Sequence, residues 1–487
     1  MADAMRFERR MSDADALMWR HEQDPALRST IVAVAILDRA PDPGRVRERL
    51  LHTVGVVPRL RQRVVPSPWS IAPPLWESDP HFDLDYHLRW YRAPREGGQS
   101  DALRLAEPIA MQGFDRARPL WELIVIEGLA DGQAGAILKL HHSISDGIGV
   151  VQIAINLFDF QRGAEGAPWG NGGVGPEAGV GGPALGPVGG PATARRHAHL
   201  PAQPHRLADA VVDEGRRLGY VARRLPGALR RAARATATDP LGSGRSVAGT
   251  AASLSRMLAP ATHPVSPLLA ERSLGVHFEA LSSPLDELRG AARRAGGRLN
   301  DAFVAAAIGG LRRYHDHHLV DVSELRMTMP ISTRDQGKSD LAGNAFTPAR
   351  FLVPMTIDDP IERMQAVCAR VEQLRAEPAM LVLDPIALLV HRLPASVSTA
   401  LFQSMMKGQD FVTSNVPGLP VPVYFAGSAI VAIYPFGPRS GAAVNLTLLS
   451  YQDQVHVGVN TDPAAVPDPE TFLACLHDSF DEVRKLA

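Results

Sequence analysis

From Gly163 to about Ala194 the chain is mostly Gly, Pro and Ala with scattered Val. Such a run cannot bury enough apolar surface to offset the entropy of ordering it. It reads as a disordered or loosely held linker, and it divides the rest of the chain into two units. The chain has 487 residues, enough for two or three domains or two large lobes at roughly 100–200 residues per domain. Hydrophobic residues make up 45%, the ordinary globular level, so a sizeable core can be buried.

Residues 1–160 read as one α/β unit. Ser12 before Asp13-Ala-Asp15 suits a helix cap, because its hydroxyl can take an unpaired first-turn N–H. Ser29 to Leu37 is β-branched and reads as a buried strand. Trp121 to Ile126 and Gly135 to Leu140 alternate around a glycine turn, the pattern of a hairpin. The second of these strands runs straight into His141-His142, and Ile148 to Phe158 has helical spacing. After the 161–204 linker, 205–273 reads as a helical crossover carrying the pairs Arg216-Arg217, Arg223-Arg224 and Arg230-Arg231. Residues 274–487 read as a second α/β unit. There Leu274 to Ala280 is a predicted strand, Ser283 and Pro284 are the predicted start of a helix, and Asn300 to Tyr314 is another helix. The fold class expected is α/β, with two lobes joined by a long crossover.

A formal net charge of −1 gives no global reason to expect a nucleic-acid partner. Two cysteines, Cys368 and Cys475, cannot make a disulfide framework, so a reduced, cytoplasmic protein is expected. The first residues lack a signal-peptide core, and no apolar run reaches the roughly 18 residues of a spanning helix. Any membrane contact is expected to be peripheral.

The chemistry concentrates in His141-His142-Ser143-Ile144-Ser145-Asp146-Gly147. A neutral imidazole can take a proton from an alcohol as it attacks a carbonyl. An acid four residues on can fix the geometry around it, and Gly147 permits a tight turn. No G-x-S-x-G elbow occurs, and none is needed if the acyl donor is already activated as a thioester. The bland alternative is a chance meeting of residues at a strand end. A metal site is a second alternative, but no H-E-x-x-H or cysteine cluster accompanies the histidines, and no metal is expected.

These residues match the H-H-x-x-x-D-G signature of the CoA-dependent acyltransferase superfamily. More narrowly, the chain resembles the bacterial wax ester synthase/diacylglycerol acyltransferase family over most of its length outside the linker. Met11-Ser-Asp-Ala-Asp-Ala16, Asp79-Pro-His-Phe-Asp-Leu-Asp-Tyr-His87, Arg118-Pro-Leu-Trp-Glu122, Leu299-Asn-Asp-Ala302 and Ser414-Asn-Val-Pro-Gly418 carry that resemblance. After Asp24 the chain reads Pro-Ala-Leu-Arg-Ser-Thr-Ile, where many members of the family show Pro-Met-His.

The resemblance implies two chloramphenicol-acetyltransferase-like lobes with a central tunnel. It implies acyl transfer from acyl-CoA, as co-substrate and without a cofactor, to diacylglycerol or a long-chain alcohol. His142 is then the general base, His141 supportive and Asp146 structural. Acyl transfer to another hydroxyl or amine acceptor, and a non-catalytic lipid-storage role, are the alternatives. Pro119, Leu120 and Trp121 either begin a core strand or shape the acyl pocket. Asn300 and Asp301 either cap a helix or support the site. Ser414 and Asn415 are either turn residues or candidate oxyanion donors. The arginine pairs either form a solvated face or attract CoA phosphates, the inner membrane or a lipid-droplet surface.

Overall fold

The computed structural model describes residues 6–67, 72–145, 147–163, 263–332, 341–342, 346–375, 395–406 and 408–487. The linker after residue 163, the arginine pairs and Asp146 lie outside the described residues.

Two mixed six-stranded sheets organise the described residues. In the first, Thr30–Leu37 pairs antiparallel with Ala134–His141, so that Thr30 lies opposite His141. Ala134–His141 in turn pairs antiparallel with Trp121–Leu129. The hairpin between them turns through Gly128 and Gly132, at φ 78° and 71°, a left-handed conformation that glycine adopts without a Cβ clash. Leu88–Gly97 forms the parallel outer strand. On its other side Thr30–Leu37 pairs antiparallel with Ser428–Phe436, Phe436 opposite Val32. The 274–487 stretch therefore supplies two strands to the first sheet, Ser428–Phe436 and the short Tyr424–Phe425 that pairs with it, which the sequence reading does not anticipate.

The second sheet runs in the order Phe346–Pro354, Glu324–Ser332, Phe411–Val416, Val444–Tyr451, Gln454–Thr461 and His277–Pro284. Helix Leu299–His317 is buried over most of its length. Its Gly309 and Gly310 let helix Pro469–Arg484 approach closely. A Cβ on Gly309 would lie 2.2 Å from Ser479 Oγ, and one on Gly310 would lie 2.6 Å from Leu476 Cδ2.

Several boundaries differ from the sequence reading. Ser283 and Pro284 end a strand, and the helix begins at Leu285. Helix Leu299–His317 is capped at Arg298, whose backbone N–H donates to Asp301 at 2.7 Å, so Asn300 sits inside the first turn. Residues 263–273, expected as the end of a helical crossover, are turns and bends. They are held by side chains of the second half: Ser266 N–H donates to Asp410 at 3.0 Å, and Ser273 N–H donates to Asp462 at 2.9 Å.

A charged clamp joins the halves. Glu107 of helix Gln99–Met111 lies 3.0 Å from His277 Nδ1 and accepts from Phe278 N–H at 3.0 Å, while Glu279 lies 3.1 Å from His277 Nε2. Glu107 first, then Glu279, push the His277 pKa up to about 9. A folded-state value above the unfolded one contributes stability in full below about pH 6.5, and that stability is lost as pH rises through 9. After solvent screening the loss is expected to be about 1–2 kcal/mol. Urea unfolding at pH 6 and pH 10 should show it in the natural chain and not in His277→Gln.

Candidate functional site

His141 closes strand Ala134–His141, and His142 opens the turn that follows. The strand end is pinned from both sides. Leu120 C=O accepts the His141 N–H at 3.0 Å, and Ser29 C=O accepts the His142 N–H at 2.8 Å. Gly147 begins helix Gly147–Ile155, so the motif lies at the strand-to-helix junction that its sequence suggests.

His141 is fully buried. Its Nε2 lies 3.3 Å from Glu22 Oε2. The backbone N–H of Ser143 faces the other nitrogen and can only donate, so Nδ1 is the acceptor and the ring proton sits on Nε2. Ser143 N–H donates to that Nδ1 at 3.1 Å, and Ser143 Oγ lies 2.7 Å from it. Trp19 and Phe114 meet the ring edge-on, at centroid distances of 5.8 and 6.0 Å. His142 is half-buried.

Beside them Lys139 is fully buried, 3.5 Å from Glu122 and 4.5 Å from the Phe114 ring centre. Burial lowers its pKa, and Glu122 opposes that shift. This buried charge and the Glu22 contact carry no sequence pattern and escape a reading by motif.

Pro119, Leu120 and Trp121 are buried. The Trp121 indole N–H donates to Leu60 C=O at 2.8 Å, and its ring stacks on His87 at 4.5 Å. These three residues buttress the His141 strand. Asn300 and Asp301 bond within the second half, to Met329 Sδ at 3.3 Å and Arg298 N at 2.7 Å. Burial raises the Asp301 pKa. Ser414 and Asn415 lie in strand Phe411–Val416, opposite Thr447 and Leu448. Just beyond, Gly418 passes so close to Ser450 that a Cβ would lie 1.7 Å from its carbonyl oxygen.

Strand Thr30–Leu37 separates two cavities by its alternation. Thr30 and Val32 line one of about 540 Å³ between the halves, within the roughly 300–1,000 Å³ range of ligand pockets. Val276, Phe278, Met406 and Phe436 line it with apolar surface, Arg28, Arg272 and Arg439 with cations, and Asp24 and Asp462 with carboxylates, Asp462 being paired with Arg439. Ala33, Ala35 and Leu37 line the other, a narrow apolar cavity under helix Gly147–Ile155. Trp121 lines neither. Among the described residues, His317, His318 and Asp468 form a metal-capable group in the second half, and it shares no residue with the His141–His142 turn. Among those residues no helix is long and apolar enough to cross a membrane.

Comparison with known proteins gives a consistent set of matches. The wax ester synthase/diacylglycerol acyltransferase catalytic domain matches residues 11–303, and the WS/DGAT C-terminal domain matches residues 342–484. A Mycobacterium tuberculosis H37Rv protein with the provisional name diacylglycerol O-acyltransferase is 35% identical over 486 residues, covering 100% of this chain and 94% of its own. Among solved structures, the wax ester synthase/diacylglycerol acyltransferase from Marinobacter aquaeolei VT8 superposes with a TM-score of 0.59 at 20% identity, covering 97% of this chain and 98% of its own. The first condensation domain of the calcium-dependent antibiotic synthetase gives 0.59 at 14% identity, covering 98% and 95%. At these identities the superpositions speak for the fold, and the two-lobed α/β architecture is common to all three.

Proposed function

The chain belongs to the wax ester synthase/diacylglycerol acyltransferase family and is an acyltransferase; from that premise we propose that it moves a fatty acyl group from acyl-CoA to diacylglycerol or a long-chain alcohol, with His142 as general base. The observation that carries the proposal is the chain at Ser29 and Thr30: Ser29 accepts the His142 N–H, and the next residue, Thr30, lines a cavity of about 540 Å³ whose wall combines apolar side chains with three arginines. An acyl-CoA is an amphiphile of that kind. Its chain suits Val32, Phe278 and Phe436, and its phosphates suit arginine. The apolar cavity on the other face of the strand suits part of the acceptor's chain.

In the proposed step His142 takes the proton from the acceptor hydroxyl as the oxygen attacks the thioester carbonyl. The tetrahedral intermediate collapses with loss of the CoA thiolate, which receives that proton from the imidazolium. Ester and free CoA result, and no acyl-enzyme is formed. Ser414 and Asn415 are candidates to donate to the oxyanion, and Asp146 to hold the loop. An acceptor of this class is water-insoluble, so the enzyme would work at the surface of a membrane or lipid droplet.

Acceptor-dependent thiol release from palmitoyl-CoA tests the reading, with hexadecanol and dioleoylglycerol as acceptors. Release with neither would overturn the lipid-acceptor assignment. Ala110 lines the large cavity, and Ala110→Phe is expected to raise the KM for palmitoyl-CoA about tenfold while sparing butyryl-CoA. Unchanged palmitoyl-CoA kinetics would place the acyl chain elsewhere.

A further inference from the structure

We infer that Glu22 is a positioning residue for His142, acting through both the peptide before the strand and the neighbouring imidazole. The inference rests on the reading of His142 as the base.

Glu22 caps the C-terminal end of helix Asp13–His21, its N–H bonded to Met18 C=O at 3.0 Å. Its side chain turns inward and is buried. One oxygen, Oε2, meets two groups: the Ser29 N–H at 2.8 Å and His141 Nε2 at 3.3 Å. The Ser29 C=O accepts the His142 N–H at 2.8 Å. Ser29 is thus bonded to Glu22 at its N–H and to His142 at its C=O, through the two peptide groups on either side of its Cα. The circuit closes through His141, covalently joined to His142. It fixes the backbone of the proposed base at two points, and it sets a carboxylate against the ring of its neighbour.

The carboxylate is suited to this in two respects. A charged acceptor makes bonds roughly twice as strong as a neutral one. Its charge also has company, since Arg116, stacked 3.8 Å above the Trp19 ring, and Lys139 both feel the Glu22 carboxylate. Ser143 N–H donates to Nδ1 and so organises the first residues of the turn, which leaves the ring proton on Nε2, 3.3 Å from the Glu22 carboxylate. Removal of the carboxylate would leave the buried Ser29 N–H without its acceptor and the Nε2 side of the His141 ring without its neighbour, while Ser143 N–H would still hold Nδ1 as an acceptor. A loop cap alone would need only the Ser29 contact.

The test uses the full-length chain with palmitoyl-CoA and the better of the two acceptors. Glu22→Ala is expected to lower kcat about 100-fold, the scale of a small misplacement of a reacting group, with the KM for palmitoyl-CoA within about twofold of the natural chain. Glu22→Gln keeps a neutral acceptor at the same place and is expected to rescue about tenfold of that loss. Nitrogen-15 imidazole spectra, assigned with His141→Gln, should show His141 protonated at Nε2 in the natural chain, and the Nε2 signal should shift in Glu22→Ala while the proton stays on Nε2, because Ser143 N–H still donates to Nδ1. If Glu22→Ala does not fold, the natural-chain tautomer and the Glu22→Gln rate decide. A Glu22→Gln kcat equal to that of the natural chain, or a natural-chain proton on Nδ1, would overturn the inference. Full activity in His142→Ala would remove the base instead, and would leave the His141 tautomer as found.

Discussion

Replacing His142 by alanine is expected to lower kcat by about 10²–10⁴-fold, the usual weight of a positioned general base. The KM for palmitoyl-CoA should hold, because an interaction made only in the transition state leaves ground-state binding untouched. The melting temperature should hold as well. The half-buried imidazole is lost, but the bond of this residue to Ser29 is made by its backbone N–H, which alanine keeps. Thiol release and thermal melting on the same preparation check the result. A stable His142→Ala protein turning over at the natural rate would end the general-base reading.

Trp121→Ala is expected to cost about 3–5 kcal/mol of stability, the range for truncating a large buried aromatic ring. Trp121 is 2% exposed, stacks on His87 and donates to Leu60, so truncation leaves both a cavity and an unpaired carbonyl. Trp121→Phe keeps a ring on His87 and should cost much less. Neither change should alter acyl-chain preference in the folded fraction, since Trp121 lines neither cavity. Urea unfolding with chain-length profiling separates the two roles that the sequence leaves open for this residue. A stable variant with a shifted chain preference would make Trp121 a pocket residue after all.

Much of the first sheet is legible in the sequence because its central strands are β-branched or alternating and pair locally. Trp121–Leu129 and Ala134–His141 form a hairpin, and local contacts leave local patterns. The edge strands are not legible. Leu88–Gly97 carries Arg89, Arg92, Pro94 and Arg95, and none of residues 88–94 is buried. An outer strand pairs on one side only, so neither alternation nor the absence of proline is enforced. Phe346–Pro354 is the edge of the second sheet and carries an exposed proline, Pro348, although its Ala349, Phe351 and Val353 alternate inward.

The motif residues themselves are easy to find, and their supports are not. Glu22 lies 119 positions before His141 and belongs to no spacing rule; only the folded chain brings them within 3.3 Å. Asn300 illustrates the opposite error. Asparagine is a favoured cap, but here Asp301 reaches back to the Arg298 N–H, and the helix starts a turn's fraction earlier than residue type suggests.

The strand Ser428–Phe436 sets an order of events during synthesis. The first sheet needs it beside Thr30–Leu37, yet Ala429 lies 391 positions after Asp38 and leaves the ribosome that much later. Until then Thr30–Leu37 is a bare edge with unpaired backbone groups, the kind of surface that recruits other chains. Nascent first halves on a crowded polysome therefore carry a shared sticky edge, and the arrival of Ser428–Phe436 in each chain is what silences it.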